Sequence, residues 1–135
     1  MKTKVIVING REYPLIRYHQ EWVFPVISFY EFGLENPVAF MLYNLEEESS
    51  FGCYTHVTVN LPDCKRGTGC QFIDTNNNGN NILDWLEENN FGKRTGRFGE
   101  SGFCEYPEFD FYKGKKFHEY KILNEHFQQI NYLFT

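Results

Sequence analysis

Residues 71–92, QFIDTNNNGNNILDWLEENNFG, change structural period within a few positions. A short apolar run, Cys70 through Ile73, gives way to an Asn-rich turn. Ile82, Leu83, Trp85 and Leu86 then recur at the i, i+1, i+3, i+4 steps of one helix face. β-type sequence lies on both sides of this helix, which confines the chain to the α+β class, with helices packed on a sheet. The helix is expected over residues 81–90, with Asn80 or Asn81 capping its first N–H groups and Gly92 as the left-handed residue that closes it. A helix of about ten residues is marginal alone, so it must dock through Ile82, Trp85 and Leu86.

The flanking segments read as strands. Residues 2–8 alternate and are β-branched, and Asn9-Gly10 is a strong hairpin signal that returns the chain over residues 11–18. Pro14 places that return strand at a sheet edge or beside a bulge. Residues 22–32 give a third strand, interrupted near Pro25, and residues 37–45 a fourth. An acidic turn, Glu46-Glu47-Glu48, leads to a strand over residues 53–61 that pairs antiparallel with the fourth. Residues 92–102, rich in Gly and Arg, read as a loop. Residues 103–112 alternate as a strand in which Pro107 again implies an edge or a bulge. From Lys115 onward Phe117, Tyr120, Leu123, Phe127, Ile130 and Phe134 recur at three- and four-residue steps, an amphipathic helix over about residues 115–133. The expected architecture is a single α+β domain spanning residues 1–135. It has a mostly antiparallel, twisted sheet of about five or six strands, one short central helix and the C-terminal amphipathic helix as an extension.

Aromatic residues make up 19% of the chain, a content that separates it from disordered sequences. The formal net charge is −5, opposite to the basic excess of a general nucleic-acid binder, so direct sequence-specific nucleic-acid binding is not expected. The first residues lack the apolar core of a signal peptide, and no run approaches the ~20 apolar residues of a membrane span. Cytoplasmic residence is therefore expected, with the four cysteines as free thiols.

Several constellations could carry chemistry. Asp74-x-Asn76-x-Asn78-Gly79 matches the first half of an EF-hand loop, but Trp85 stands where the bidentate Glu belongs, so a turn with a helix cap is the better reading. Cys53-x2-His56 and Cys64-x5-Cys70 lack the knuckle form of zinc sites. Simple alternation would also point Cys53 and His56 to opposite faces of their strand. The four cysteines with His19, His56, His118 and His126 show no local nucleophile signature. Gly92, Gly96, Gly99 and Gly102 around Arg94 and Arg97 fit neither a P-loop nor a dinucleotide fingerprint, so no cofactor is expected. The carboxylates of Glu46, Glu47 and Glu48 and of Glu87 and Glu88 read as solvated charge, or as an acidic surface for a basic protein partner. Together with Arg94, Arg97 and Glu100 of the Gly/Arg segment, they are the candidate contacts.

Three stretches occur together: Thr58-Val59-Asn60-Leu61-Pro62; Phe72-Ile73-Asp74-Thr75-Asn76-Asn77 with its following helix; and Thr95-Gly96-Arg97-x-Gly99-x-Ser101-Gly102-Phe103-Cys104-x-Tyr106-Pro107. In this order and spacing they resemble a family of small bacterial proteins encoded largely on plasmids, phages and integrative elements of Firmicutes and Bacteroidetes. The resemblance covers about residues 36–112 and leaves out the C-terminal helix. It implies no enzyme activity and offers no catalytic residue to carry over. It does imply a mobile-element setting, and members of this kind of family look like anti-CRISPR proteins against Cas9-type effectors. The expected partner is thus a protein, a Cas9-type nuclease or its guide-RNA complex, whose nucleic-acid channel is rich in Lys and Arg. An exposed aromatic sheet edge would also support a homodimer. The alternatives are a small metal- or ligand-binding accessory domain of the mobile element, and an enzyme that uses a Cys or His.

Overall fold

The computed structural model describes residues 4–8, 10–33, 35–47 and 50–134, with side chains for all of these except residues 8, 45–47, 50, 51 and 127–134. Strands β1 (Lys4–Ile8), β2 (Arg11–Tyr18), β3 (Glu21–Phe29), β4 (Val38–Glu47) and β5 (Ser50–His56) form an antiparallel meander in the order β1-β2-β3-β4-β5. A second antiparallel sheet, in the order β6-β7-β9-β8, contains β6 (Thr58–Val59), β7 (Cys70–Ile73), β8 (Lys93–Ser101) and β9 (Cys104–Asp110). Helices α1 (Thr75–Asn78) and α2 (Asn81–Glu88) join β7 to β8, and α3 (Lys115–Phe134) follows β9. The fold is α+β, with two sheets in place of one.

The strand expected over residues 53–61 is divided at Val57, and this division creates the second sheet. Val57 donates its N–H to the Phe40 carbonyl of β4 and accepts from Asp74 N at the end of β7, so one residue is bonded to both sheets. Thr58 Oγ1 then accepts the Phe40 N–H at 3.0 Å. Asn60 reaches the Phe32 carbonyl and the Gln71 amide. The segment 58–62 is therefore the crossover between sheets, and its polar side chains replace the ladder bonds that the crossing interrupts.

The prolines follow the same accounting. β2 pairs with β3 only over Ile16–Tyr18 and Glu21–Val23, so Pro14 lies on a stretch with a strand on one side only. Beyond Val23 that side of β3 is also without a strand, and α3 covers it. Buried Asn124 accepts from Ile27 N and donates to the Pro25 carbonyl, both at 2.9 Å. Pro25 and Ile27 point their backbone groups to the same side of the strand, so the N–H that Pro25 lacks would face α3 and not the β3–β4 ladder.

One core cluster draws on every layer: Leu15, Phe24, Phe40 and Leu42 from the first sheet, Ile73 and Phe109 from the second, Ile82 and Leu86 from α2, and Phe117 and Tyr120 from α3. Trp85 is half-buried and donates its indole N–H to the Arg17 carbonyl at 2.7 Å, which ties α2 to β2. α2 ends differently from the expectation. The left-handed residue is Asn90 (φ 62°), with Asn90 N bonded to Glu87 O and Phe91 N to Leu86 O, the paired bonds of a Schellman motif. Gly92 serves the chain instead by close approach, because a Cβ there would strike the Asp110 carbonyl. Neither Asn80 nor Asn81 caps α2 through its side chain as expected. The capping residue of this region is Asp74, at the start of α1.

On α3 the expected apolar stripe packs through Phe117, Tyr120 and Leu123; the side chains of Phe127, Ile130 and Phe134 lie outside the described residues. Among the described residues no helix is long and apolar enough to cross a membrane.

Candidate protein-binding surface

Residues 92–102 form no loop. Lys93–Ser101 are β8, the outer strand of the second sheet, paired with β9 through a two-residue turn. Gly102 (φ 62°) occupies the first turn position, where the mirror-image hairpin turn requires a positive φ. The ladder is broken between Arg94↔Phe109 and Phe98↔Pro107, so Thr95, Gly96 and Arg97 bulge opposite Glu108. Pro107 has no N–H for the ladder, and the bulge absorbs the interruption.

Glu108 holds that bulge in place. Its side chain is wholly buried, and it accepts from Thr95 Oγ1 at 2.6 Å, Arg97 Nε at 2.7 Å and the Gly67 N–H at 2.9 Å. Arg97 Nη2 adds an ion pair at 2.6 Å. Burial pushes the Glu108 carboxyl up, and the bonds from Thr95, Gly67 and Arg97 more than offset it, leaving it below the ordinary carboxylate range. This carboxylate fixes the bulge on one side and loop 60–69 on the other. The loop is further held by Arg66, bonded to the Cys70 carbonyl, and by Cys64, whose thiol donates to the Glu100 carbonyl.

Several expected contact residues are therefore occupied. Arg94 is bonded through Nε and Nη2 to Glu87 and through Nη2 to Asp84, and its backbone N–H donates to Glu87 Oε2. The hydrogen bond from Arg94 is the main cause that draws the Glu87 carboxyl down. Arg94 and Glu87 join β8 to α2 and neutralise each other, and Arg97 is engaged by Glu108. Glu88 is exposed on α2, beside a cleft formed with Tyr18, His19 and Trp85. Glu46 and Glu47 are not in a turn but at the end of β4. Their side chains, and all of Glu48, lie outside the described residues.

Glu100 remains, and the structure gives it company that the sequence reading missed. It stands directly across the hairpin from Glu105, both exposed, and among the described residues neither carboxylate has a cation within ion-pair distance. Like charges facing each other across an antiparallel pair are destabilising. On the same face Phe98 is 60% exposed, and Phe103 at the turn is fully exposed. This face begins as core at Phe109, then runs past the start of α2 into solvent. There a groove of about 390 Å³ is lined by Leu83, Phe98 and Pro107 together with Arg94, Arg97 and Glu105. The opposite face of the hairpin is covered: a Cβ on Gly99 would meet Phe72 and Leu61. Strand alternation places Phe103, Glu105 and Phe109 on one parity, but alternation does not encode where the core beneath that face stops.

The calcium and thiol readings can be set against the same geometry. Both Asp74 carboxylate oxygens accept from Asn77 and cap α1, and Asn78 Oδ1 accepts from Thr55 and so joins α1 to β5. Burial pushes the Cys70 thiol up to about 11, and Cys53 is also raised by burial. Neither is an activated thiolate at neutral pH. One expectation is overturned outright: Cys53 and His56 do not face opposite sides of β5. Leu42 pairs with Thr55 but Tyr43 with Cys53, so Tyr54 is an extra residue that shifts the alternation by one. Cys53 Sγ lies 3.8 Å from His56 Nε2 as a result.

A family model, DUF4313, domain of unknown function, matches residues 27–132. The chain belongs to the DUF4313 family. The DUF4313 match takes in the crossover, the β8–β9 hairpin and most of α3, and the β1–β2 hairpin lies outside it. No curated protein and no solved structure matches the chain.

Proposed function

We propose that this protein is a non-enzymatic inhibitor that binds a bacterial nuclease-based defence protein, an anti-CRISPR acting on a Cas9-type effector in the cytoplasm. The β8–β9 hairpin carries the reading, with two exposed phenylalanines beside two unpaired, mutually repelling carboxylates. Aromatic side chains supply the anchors of protein interfaces, and the Glu100–Glu105 pair gains most from a partner that places a Lys or Arg between them. A channel built to hold guide and target phosphates presents such cations. The resemblance of the Thr58–Pro62 and Ser101–Pro107 motifs to mobile-element proteins supports the setting.

Co-purification with a Cas9-type effector, guide-loaded and empty, together with a target-cleavage assay, tests the proposal. Binding and loss of cleavage are expected. Phe98→Ala with Phe103→Ala should weaken binding by ~30-fold or more, the scale of a lost ~2 kcal/mol hot spot. Glu100→Lys with Glu105→Lys should abolish it, and the remaining wild-type affinity should fall with added salt. The absence of binding to either form of the effector, with cleavage untouched, would sink the proposal.

A further inference from the structure

The β2–β3 turn and α2 border a cleft of about 350 Å³, lined by Tyr18, His19, Ile82, Asp84, Trp85 and Glu88. Its aromatic walls are held in place. The Trp85 indole is tied to the Arg17 carbonyl, and wholly buried Phe91 stacks on its ring with centroids 5.8 Å apart. Buried Tyr18 meets the Trp85 ring at 5.0 Å and 76°, and His19 meets Tyr18 at 4.2 Å and 63°. His19 is the first residue of the two-residue turn between Tyr18 and Glu21, with φ 54°, where Gly or Asn is the usual choice. The turn thus carries an imidazole to the cleft. Asp84 and Glu88, one helical turn apart, are exposed beside these rings. Asp84 shares its charge with Arg94, whereas among the described residues Glu88 has no cation within ion-pair distance.

We infer that this cleft binds a small molecule bearing a quaternary ammonium group. Aromatic ring faces attract a cation within about 6 Å of the centroid. Elsewhere the chain supplies that cation itself: the Arg17 guanidinium lies over Trp22 at 4.9 Å, and Lys121 Nζ over Phe29 at 5.7 Å. Among the described residues Trp85 and Tyr18 have no such cation, although carboxylates stand next to them. A primary ammonium is strongly hydrated, and its three N–H donors call for acceptors. A quaternary ammonium has no N–H, so it can exchange water for ring faces, and the carboxylates attract it without hydrogen bonds. The steep angles between the rings suit a near-spherical trimethylammonium head; a planar guanidinium would stack on one face. The cleft is also at the small end of ligand pockets, which run from about 300 to 1,000 Å³, so it has room for a small ion. It stands on β2 and α2 and does not depend on the function proposed for the hairpin.

The test is a titration of the nitrogen-15-labelled full-length protein with choline, read from the two tryptophan indole N–H signals. The Trp85 signal should shift and saturate at choline concentrations on the order of millimolar, while the Trp22 signal stays in place. The neutral isostere 3,3-dimethylbutanol, with carbon in place of the charged nitrogen, should bind at least ~10-fold more weakly, the scale of a desolvated cation–π contact. Glu88 is exposed, so Glu88→Lys should keep the wild-type melting temperature and lower choline affinity at least ~5-fold; if the variant melts early, Glu88→Gln gives the same comparison. Added salt should weaken choline binding in the wild type. The inference is overturned if the Trp85 signal does not saturate in a large excess of choline, if the neutral isostere binds as tightly, or if charge reversal at Glu88 leaves the affinity unchanged. A trimethyllysine peptide that binds more than ~10-fold tighter than choline would overturn the assignment to a small molecule.

Discussion

Glu108→Gln isolates the carboxylate on which the hairpin depends. Oε1 of Glu108 receives Thr95 and Arg97, and Oε2 receives the Gly67 N–H. A glutamine can keep its carbonyl oxygen toward Thr95 and Arg97, but its NH2 then faces the Gly67 N–H, donor against donor. The Gly67 bond is lost and the Arg97 contact loses its ionic part. Hydrogen bonds to charged groups contribute ~1.5–3 kcal/mol, and removing one partner of a buried pair costs the desolvation of the other, so a loss of ~2–4 kcal/mol is expected. For a chain of this length ~3 kcal/mol lowers Tm by roughly 10 °C. The pH dependence has a definite sign. Because the folded carboxyl sits below its unfolded value, its contribution is complete above the unfolded carboxylate pKa of about 4.3 and is lost as pH falls through the folded value. Urea unfolding of wild type and variant should show a constant gap from about pH 5 to pH 8 that closes in more acid solution. Hydrogen exchange should show the Gly67 amide losing protection in the variant. Equal stability at neutral pH, or a gap that persists unchanged in acid, would refute the reasoning.

Other perturbations report on single elements. Asn124→Ala removes the buried side chain that bonds Ile27 N, the Pro25 carbonyl and the Tyr120 carbonyl, and should cost ~2–4 kcal/mol in urea unfolding. Asn90→Gly should be neutral or stabilising by up to ~1 kcal/mol, because the position is left-handed, while Asn90→Val should destabilise by ~1 kcal/mol or more; thermal melts distinguish them. Arg94→Ala breaks exposed ion pairs and should cost no more than ~1 kcal/mol, with the difference shrinking in high salt. Trp85→Phe keeps an aromatic ring but loses the bond to Arg17 O and should cost ~1 kcal/mol or more, read from the same melts.

What could be read from the sequence was local. Asn9-Gly10 with its flanking alternation, the stripe Ile82–Leu86 and the stripe from Phe117 each carry their period within one segment, and each became the expected element. The errors share a different cause. Gly96, Gly99 and Gly102 look like loop composition, but one bulges, one admits Phe72 and Leu61 against the sheet, and one turns the hairpin; each role depends on a partner distant in sequence. Likewise the division at Val57 is set by Phe40 and Asp74, and the pairing of Cys53 with His56 by an extra residue opposite β4. Of the candidate site, Glu100 was identified, whereas Phe98, Phe103 and Glu105 were not. Their exposure follows from where the cover of α1 and α2 stops, which alternation within one strand does not encode. Arg94, Arg97 and Glu87 read from the sequence as candidate partner contacts, and their charges are satisfied by Asp84, Glu108 and each other.

The contrast between the two sheets bears on how the chain assembles. Every pairing in the meander joins neighbours in sequence, so its loop-closure entropy is small. The β7–β9 pairing must instead close over α1, α2 and β8, and it brings together the two sides of the buried Glu108 contact, Gly67 and the hairpin. As the chain leaves the ribosome, the meander can be complete while the inner face around Phe24 and Phe40 still lacks the cover that Phe111, Phe117 and Tyr120 provide. Until α3 arrives, the edge of β3 at Pro25 and Ile27 also lacks Asn124. A later segment thus protects a sheet that can form before it, and truncation before α3 should leave a nascent product prone to edge-to-edge association.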